Sequence, residues 1–283
     1  MPPRVNPTAR HERLGAELRK LRERAGLTAR AAAELLGTDQ AQMSNMEAGR
    51  VGASAERVRR LASHYACEDE ALIDALVTMA TERIRGWWEE YRTTLPRTFL
   101  DLSELEFHAT TMRTIKVVEI PGIMQTERHA RAVFDYYPPP LPPEDLEARV
   151  SHRVQRRIVL DRERPPLIEA VIHEAALRMT VGGAATAREQ LRFLLELSSH
   201  PTISIRVIPF TAGQFAGPGV SMLYLGGPVP QLDTVQVDTP LTGVFMDAEA
   251  QLGRYRTLYA KVESASLGVA DTRDFIHRLA RDL

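Results

Sequence analysis

The sequence predicts a mainly α protein with an α+β second domain: an all-helical N-terminal domain over residues 1–80, then a C-terminal domain of mixed helix and sheet over residues 81–283. Three observations predict it. Between Ala9 and Ala80 the apolar residues recur at three- and four-residue spacing. Beyond that point runs rich in Val and Ile alternate with amphipathic stretches. A length of 283 residues also exceeds one typical domain.

In the N-terminal part, Leu14, Leu18 and Leu21 draw one stripe along a first helix, which Gly26 ends. Thr28 caps a second helix with Ala31, Ala32, Leu35 and Leu36 as its buried face, and Gly37 stops it after about two turns. Thr38 or Asp39 caps a third, with Met43 and Met46 inward, before Gly49 ends it. A fourth carries Val58, Leu61, Ala62 and Tyr65 on its inner side. After Cys67 the helical pattern continues through Trp87 and Trp88 to Pro96, as a connecting helix, with the domain boundary near Ala80.

In the C-terminal part the expected strands are Thr114 to Ile120, Leu167 to His173, Ile203 to Phe210, Val220 to Leu225 and Thr234 to Asp238. The expected helices are Ser103 to Met112, Glu127 to Tyr136, Pro143 to Asp161, Ala187 to Ser198, Asp247 to Ser264 and Ala270 to Leu283. Pro138 to Pro143, with five prolines in six residues, must be an exposed loop.

Composition narrows the function classes. No apolar run approaches the roughly 18 residues needed to span a bilayer, and the first thirty residues lack the apolar stretch of a secretion signal, so a cytoplasmic protein is expected. A single cysteine, Cys67, excludes an internal disulfide and a cysteine-rich zinc site. The eight histidines are scattered without metal-ligand spacing, and His173-Glu174 lacks the second histidine of the zinc-protease pattern. Phosphate loop, dinucleotide fingerprint and serine elbow are all missing, so no enzyme, cofactor or metal is expected, short of a composite site assembled from distant residues. The net charge of −1 hides an asymmetry: residues 1–65 hold 12 Lys+Arg against 7 Asp+Glu, a net of +5 that leaves −6 for the rest. A basic module on an acidic body suits a protein that presents one end to a polyanion; a solvated charged face is the alternative.

The short helix, glycine turn and second short helix from Thr28 to Gly49 carry the functional argument. Helices this short need flanking helices, and both are present. In such a motif the second helix enters the major groove of double-stranded DNA, where base edges offer donors and acceptors that polar side chains can read. The stretch Asp39 to Glu47 has small or amide-bearing residues outward and apolar ones inward.

Residues 12 to 66 resemble the Cro/CI-type helix-turn-helix of the Xre regulator family, on Leu14, Leu18, Leu21, Gly26, Leu27, Ala32, Leu36, Gly37, Met43, Ser44, Glu47, Gly49 and the helix from Arg57 to Tyr65. The resemblance implies that Gln40, Ala41 and Asn45 face base edges, and that Gln42 and Ser44 sit at the groove edge, where phosphates set register. It also implies that Glu47 pairs with Arg22. Ala29 stands where that family often has a phosphate-binding glutamine, so Arg30 or Arg50 is expected to supply the contact. Proteins of this kind bind as two-fold dimers on half-sites roughly 34 Å apart, which makes a homodimer the expectation.

From about Gly86 onward the chain resembles the actinomycete-type antitoxin-like domain of unknown function that follows an Xre helix-turn-helix. The markers are Pro121 to Thr126, Arg149 to Gln155, Glu174 to Leu177, Gly182-Gly183, Arg188 to Leu191 and Val207 to Phe210. That resemblance implies a small acidic or mixed-charge partner protein, frequently encoded next door. Read physically, Pro121-Gly122 makes a turn, Gly182-Gly183 breaks the chain before a helix, and Pro209 ends a strand. Gln125-Thr126 opens a helix, as a cap or with N–H groups that hold an anion. Trp87, Trp88 and Tyr91 form a partner anchor or pack between domains, and Glu174 lines a pocket or lies on the surface. Three functions remain open: a regulator whose C-terminal domain dimerises and receives a signal, an antitoxin-like protein that sequesters a small partner and autoregulates, and a small-molecule sensor.

Overall fold

The computed structural model describes residues 6–82, 84–136, 138–215, 221–239 and 243–283. They divide into two compact units, Met1–Trp87 with Gly226–Asp233, and Trp88–Leu225 with Thr234–Leu283. The first unit thus takes in a segment distant in sequence, which no local pattern signals.

The first unit has five helices: α1 (Ala9–Arg24), α2 (Ala29–Leu36), α3 (Gln40–Glu47), α4 (Ala55–His64) and α5 (Glu70–Thr81). Each start is capped, because Thr8, Thr28, Asp39, Ser54 and Asp69 each accept from the backbone N–H three residues on. Such a cap contributes about 1 kcal/mol, which two-turn helices need. Gly26 and Gly37 adopt the left-handed conformation that ends a helix (φ 71° and 73°). Leu14, Leu18, Leu36, Met43, Met46, Leu61 and Leu76 meet in one core, joined by Val229 and Leu232 from the distant segment. The buried Arg13 donates to Glu17 (3.2 Å) and to the backbone carbonyls of Gln231 and of Asp233 (3.4 Å).

Two expectations for this unit are corrected. On α2 the buried residues are Ala32, Ala33 and Leu36, while Leu35 is 45% exposed. The inward stripe follows i, i+3, i+4, which leaves Leu35 one step around the helix. The long connecting helix is also absent. Asp69 caps a fresh helix that stops at Thr81, Trp87–Tyr91 is a separate 3-10 helix, and Pro96 precedes α6 (Arg97–His108). Gly86 and Pro96 are both poor in a helix interior, so continuity there is costly.

The second unit is built on a six-stranded sheet. Its strands are β1 (Thr111–Lys116), β2 (Leu167–His173), β3 (Ile203–Ile208), β4 (Met222–Gly226), β5 (Thr234–Asp238) and β6 (Gly243–Met246), in the order β3-β2-β1-β4-β5-β6. The pairs β1–β2 and β2–β3 are parallel; β4–β5 and β5–β6 are antiparallel. β2 is apolar but for Glu169 and the closing His173, because both its faces are covered: Ile168, Ala170 and Ile172 on one side, Val171 on the other. α10 (Ala184–Leu197) and α12 (Val269–Asp282) pack on the first face through Leu191, Leu194 and Ile276, and α11 (Glu249–Ser264) packs on the second through Leu252, Tyr259 and Val262. The others are α7 (Glu127–Tyr136), α8 (Pro143–Gln155), continued as a 3-10 helix to Asp161, and α9 (Glu174–Arg178).

The first strand lies earlier than the Thr114 to Ile120 reading, and its preceding helix ends at His108 rather than Met112. β6 was not expected. Val220, the expected start of β4, lies outside the described residues. No helix among the described residues is long and apolar enough to cross a membrane.

Two buried histidines are expected to make this unit acid-sensitive. Burial, aided by Arg153, pushes His129 down to about 4; burial, with Arg156 and Arg153, pushes His152 down to about 3. Both are neutral in the folded unit while the unfolded chain takes up protons below about pH 6.5. Stability is therefore full above that pH and declines as pH falls toward 4. Urea midpoints between pH 7 and pH 4.5 are expected to fall, and His152→Gln is expected to flatten the decline.

Candidate nucleic-acid interface

α3 is set by what flanks it. Asp39 Oδ1 accepts from the Gln42 N–H at 2.7 Å, and the Thr38 hydroxyl donates to Gln42 Oε1. Met43 and Met46 are 1% and 2% exposed, one helical turn apart, so α3 is seated from within. At its far end Arg22 grips Glu47 through Nε (2.6 Å) and Nη2 (2.9 Å) while its Nη1 donates to the Leu27 carbonyl (2.7 Å). The bidentate bond to Glu47 raises the Arg22 pKa against the opposing effect of burial. This pair joins α1 to α3 and has no free edge to offer a ligand.

Close backbone approach does the rest. A Cβ on Gly15 of α1 would stand 2.4 Å from the Glu47 carbonyl oxygen, and one on Gly49 would stand 2.6 Å from that of His11. Only hydrogen fits at either position, so α1 and the end of α3 are in contact at main-chain distance.

With its inner side fixed, α3 turns Gln40, Ala41 and Ser44 to solvent and leaves Gln42 and Asn45 half-buried. These five candidates lie on one short helix whose outward side chains are amides, a hydroxyl and a methyl. Gln42 has its carbonyl oxygen engaged by Thr38, so the free end is its NH2, a donor suited to phosphate. Arg50, just past the helix, is exposed, and its backbone N–H donates to the Asn45 carbonyl at 2.8 Å. Arg30 lies on α2 and is paired with Glu34 (3.1 Å) at the surface, a contact weak enough to open.

The basic count of this region overstates the charge on offer. Arg10 pairs with Glu82, Arg13 and Lys20 with Glu17, Arg19 with Glu23 and Arg22 with Glu47. Arg50, Arg57 and Arg60 form no ion pair among the described residues. The two on α4 were not nominated from sequence, although the Arg57, Arg59, Arg60 run was the signal. Thr38, which orients Gln42, was read only as an alternative cap.

The second-unit candidates resolve differently. At Gln125-Thr126 the Thr126 N–H donates to Gln190 Oε1 (2.8 Å) and the His129 N–H to Thr126 Oγ1 (3.3 Å), so this is a cap and not an anion-holding helix start. Glu174 is buried, with Oε1 accepting from Arg178 (2.6 Å) and Oε2 from the Phe210 N–H (2.8 Å). It does not lie on the surface; it ties down the chain after β3. Trp88 is buried against Phe107, 5.2 Å between rings, and Tyr91 donates to Gln155 (2.8 Å), so neither is an exposed anchor.

Residues 13–76 match a helix-turn-helix domain, and residues 99–278 match a domain of unknown function, DUF5753. No curated protein and no solved structure matches the chain. The helical unit is thus a helix-turn-helix, and by the match across most of its length the chain belongs to the DUF5753 family.

Proposed function

We propose that this chain is a cytoplasmic, sequence-specific transcriptional regulator of the Xre type, whose Cro/CI-like α3 reads operator DNA in the major groove. It binds as a homodimer, and the second domain receives a protein or small-molecule signal. The observation that supports the reading is the outward side of α3: Gln40, Ala41 and Ser44 exposed, with Asn45 beside them, on a helix seated by Met43, Met46 and the Arg22–Glu47 pair. Two amides and a hydroxyl on a rigid helix can discriminate base edges, and a carboxylate turned away from DNA does not repel it.

The test is binding of full-length protein to sequences selected from a random DNA pool. Asn45→Ala and Gln40→Ala are each expected to cost about 1–3 kcal/mol on the selected sequence and to relax preference at their own positions. Arg50→Ala is expected to weaken all DNA evenly and reduce the salt slope by about 1. Sedimentation of the same complexes is expected to give two chains per operator. Equal losses on selected and random DNA for all three variants would sink the assignment.

A further inference from the structure

The second unit holds two arginines that form no ion pair with its carboxylates among the described residues. Arg149, Arg153 and Arg156 lie on successive turns of α8 and its 3-10 continuation. Arg156 is buried and satisfied, with its Nε donating to Glu106 Oε2 at 2.7 Å. Arg149 and Arg153 have no ion pair among the described residues. Their guanidinium groups rest instead on aromatic rings, Arg149 over Phe99 at 5.4 Å and Arg153 over Phe134 at 4.6 Å, and those two rings are 6.4 Å apart. The acids that act electrostatically on Arg153 are engaged elsewhere, Glu106 with Arg156, and Asp238 and Glu119 with Lys116 (2.6 and 3.4 Å).

The surroundings are built to hold these groups in place. Gln125 donates its NH2 to the Ile120 carbonyl (2.8 Å), which fixes its oxygen to accept from Arg153 Nη1 at 2.7 Å. A Cβ on Gly122 would stand 2.8 Å from Arg156 Nη1 and 3.3 Å from Arg153 Nη1, so the glycine leaves room for two guanidiniums side by side. Two polar atoms nearby are buried without a hydrogen-bond partner, Arg149 Nε and Nδ1 of His129, a residue only 4% exposed. Burial and the neighbouring Arg156 pull Arg153 down to about 10, against the opposing effect of Glu106, Asp238 and Glu119. Buried nitrogens without hydrogen-bond partners, beside guanidiniums without an ion pair, are placed to receive the oxygens of a ligand.

We propose that Arg149, Arg153 and His129 form a receptor for a small oxyanion, the carboxylate or phosphate group of a metabolite, with Gln125 and Gly122 positioning the arginines. The planar guanidiniums offer paired N–H donors at the spacing of two oxygens on one carboxylate or phosphate, and a neutral His129 protonated at Nδ1 adds a third donor. The proposal is independent of the DNA-reading one, since no residue of α3 enters it.

Calorimetry and thermal unfolding of the full chain at constant ionic strength test it, with inorganic phosphate, succinate and chloride as probes. Saturable binding and a raised Tm are expected with phosphate or succinate beyond any effect of chloride, and which of the two binds identifies the group. Arg153→Gln is expected to weaken that binding by about tenfold or more. Arg131→Gln, whose parent side chain pairs with Glu147 and Glu127 at the surface, is expected to leave it unchanged. Should Arg153→Gln fail to fold, Gly122→Ala takes its place, because its methyl group crowds the guanidiniums and is expected to weaken binding too. A response no larger than that to chloride overturns the proposal, as does a folded Arg153→Gln or Gly122→Ala variant that binds like the parent.

Discussion

Replacing Glu47 with alanine is expected to destabilise the helical unit by about 3–5 kcal/mol, because it strands the Arg22 guanidinium where its side chain is only 8% exposed. The loss exceeds that of a surface ion pair, typically about 0–1 kcal/mol, since the charge left behind is largely shut off from water and loses its bidentate partner. The Leu27 carbonyl and the solvent-exposed Glu23 carboxylate, 3.6 Å away, remain to it. The urea midpoint of the unit's transition is the measurement. Glu47→Gln, which keeps one acceptor, is expected to lose less. Pairing Glu47→Leu with Arg22→Met is expected to recover most of the loss, since an apolar pair carries no unmet charge. A Glu47→Ala protein as stable as the parent would show that the pair opens freely to solvent.

Gly15→Val is expected to be damaging for a different reason. The added carbon would collide with main-chain oxygens of both Glu47 (2.4 Å) and Met46 (2.7 Å), and neither can swing aside as a side chain would. Either α1 withdraws from α3 or the end of α3 unravels, at a cost of about 1–3 kcal/mol or more. Both outcomes misplace Asn45, so DNA affinity should fall even under conditions where the protein stays folded. Gly37→Ala is the informative comparison. Gly37 has a positive φ, 73°, which helical Gly15 lacks, but nothing lies within 4 Å of its added carbon, so backbone strain of about 1 kcal/mol is all it should cost. Similar midpoints for the two variants would argue against the close packing of α1 on α3.

How far the fold was legible follows from how local its determinants are. Thr28 and Gly37 mark their helix ends through bonds to residues three or four away, as the sequence indicates, and of the two caps it allows for the third helix, Thr38 and Asp39, the structure uses Asp39. The outward side of α3 followed from Met43 and Met46, since two inward positions one turn apart dictate which residues face away. Leu35 was misread because apolar character was taken for inwardness, although rotation about the helix decides it. At β1 the run Val117-Val118 looked like strand, whereas the alternation that pairs with β2 begins at Thr111 and stops at Lys116. Among the described residues the four-residue β6 pairs with β5 alone, and it carries no strong pattern. Least legible were the features that join distant residues: the Arg13 contacts to Gln231 and Asp233, and the convergence of Arg153 on Gln125. Separate stretches of sequence had marked both partners of that last contact, but neither spacing nor periodicity indicates that they touch.

The inserted stretch Gly226–Asp233 bears on how this protein can be dissected. A fragment ending at Trp87 lacks Val229 and Leu232, leaving gaps in the core that they fill, and it takes away the two carbonyls that receive the Arg13 guanidinium. The head defined by chain order is therefore an incomplete body. A faithful isolated piece needs those eight residues grafted back through a linker.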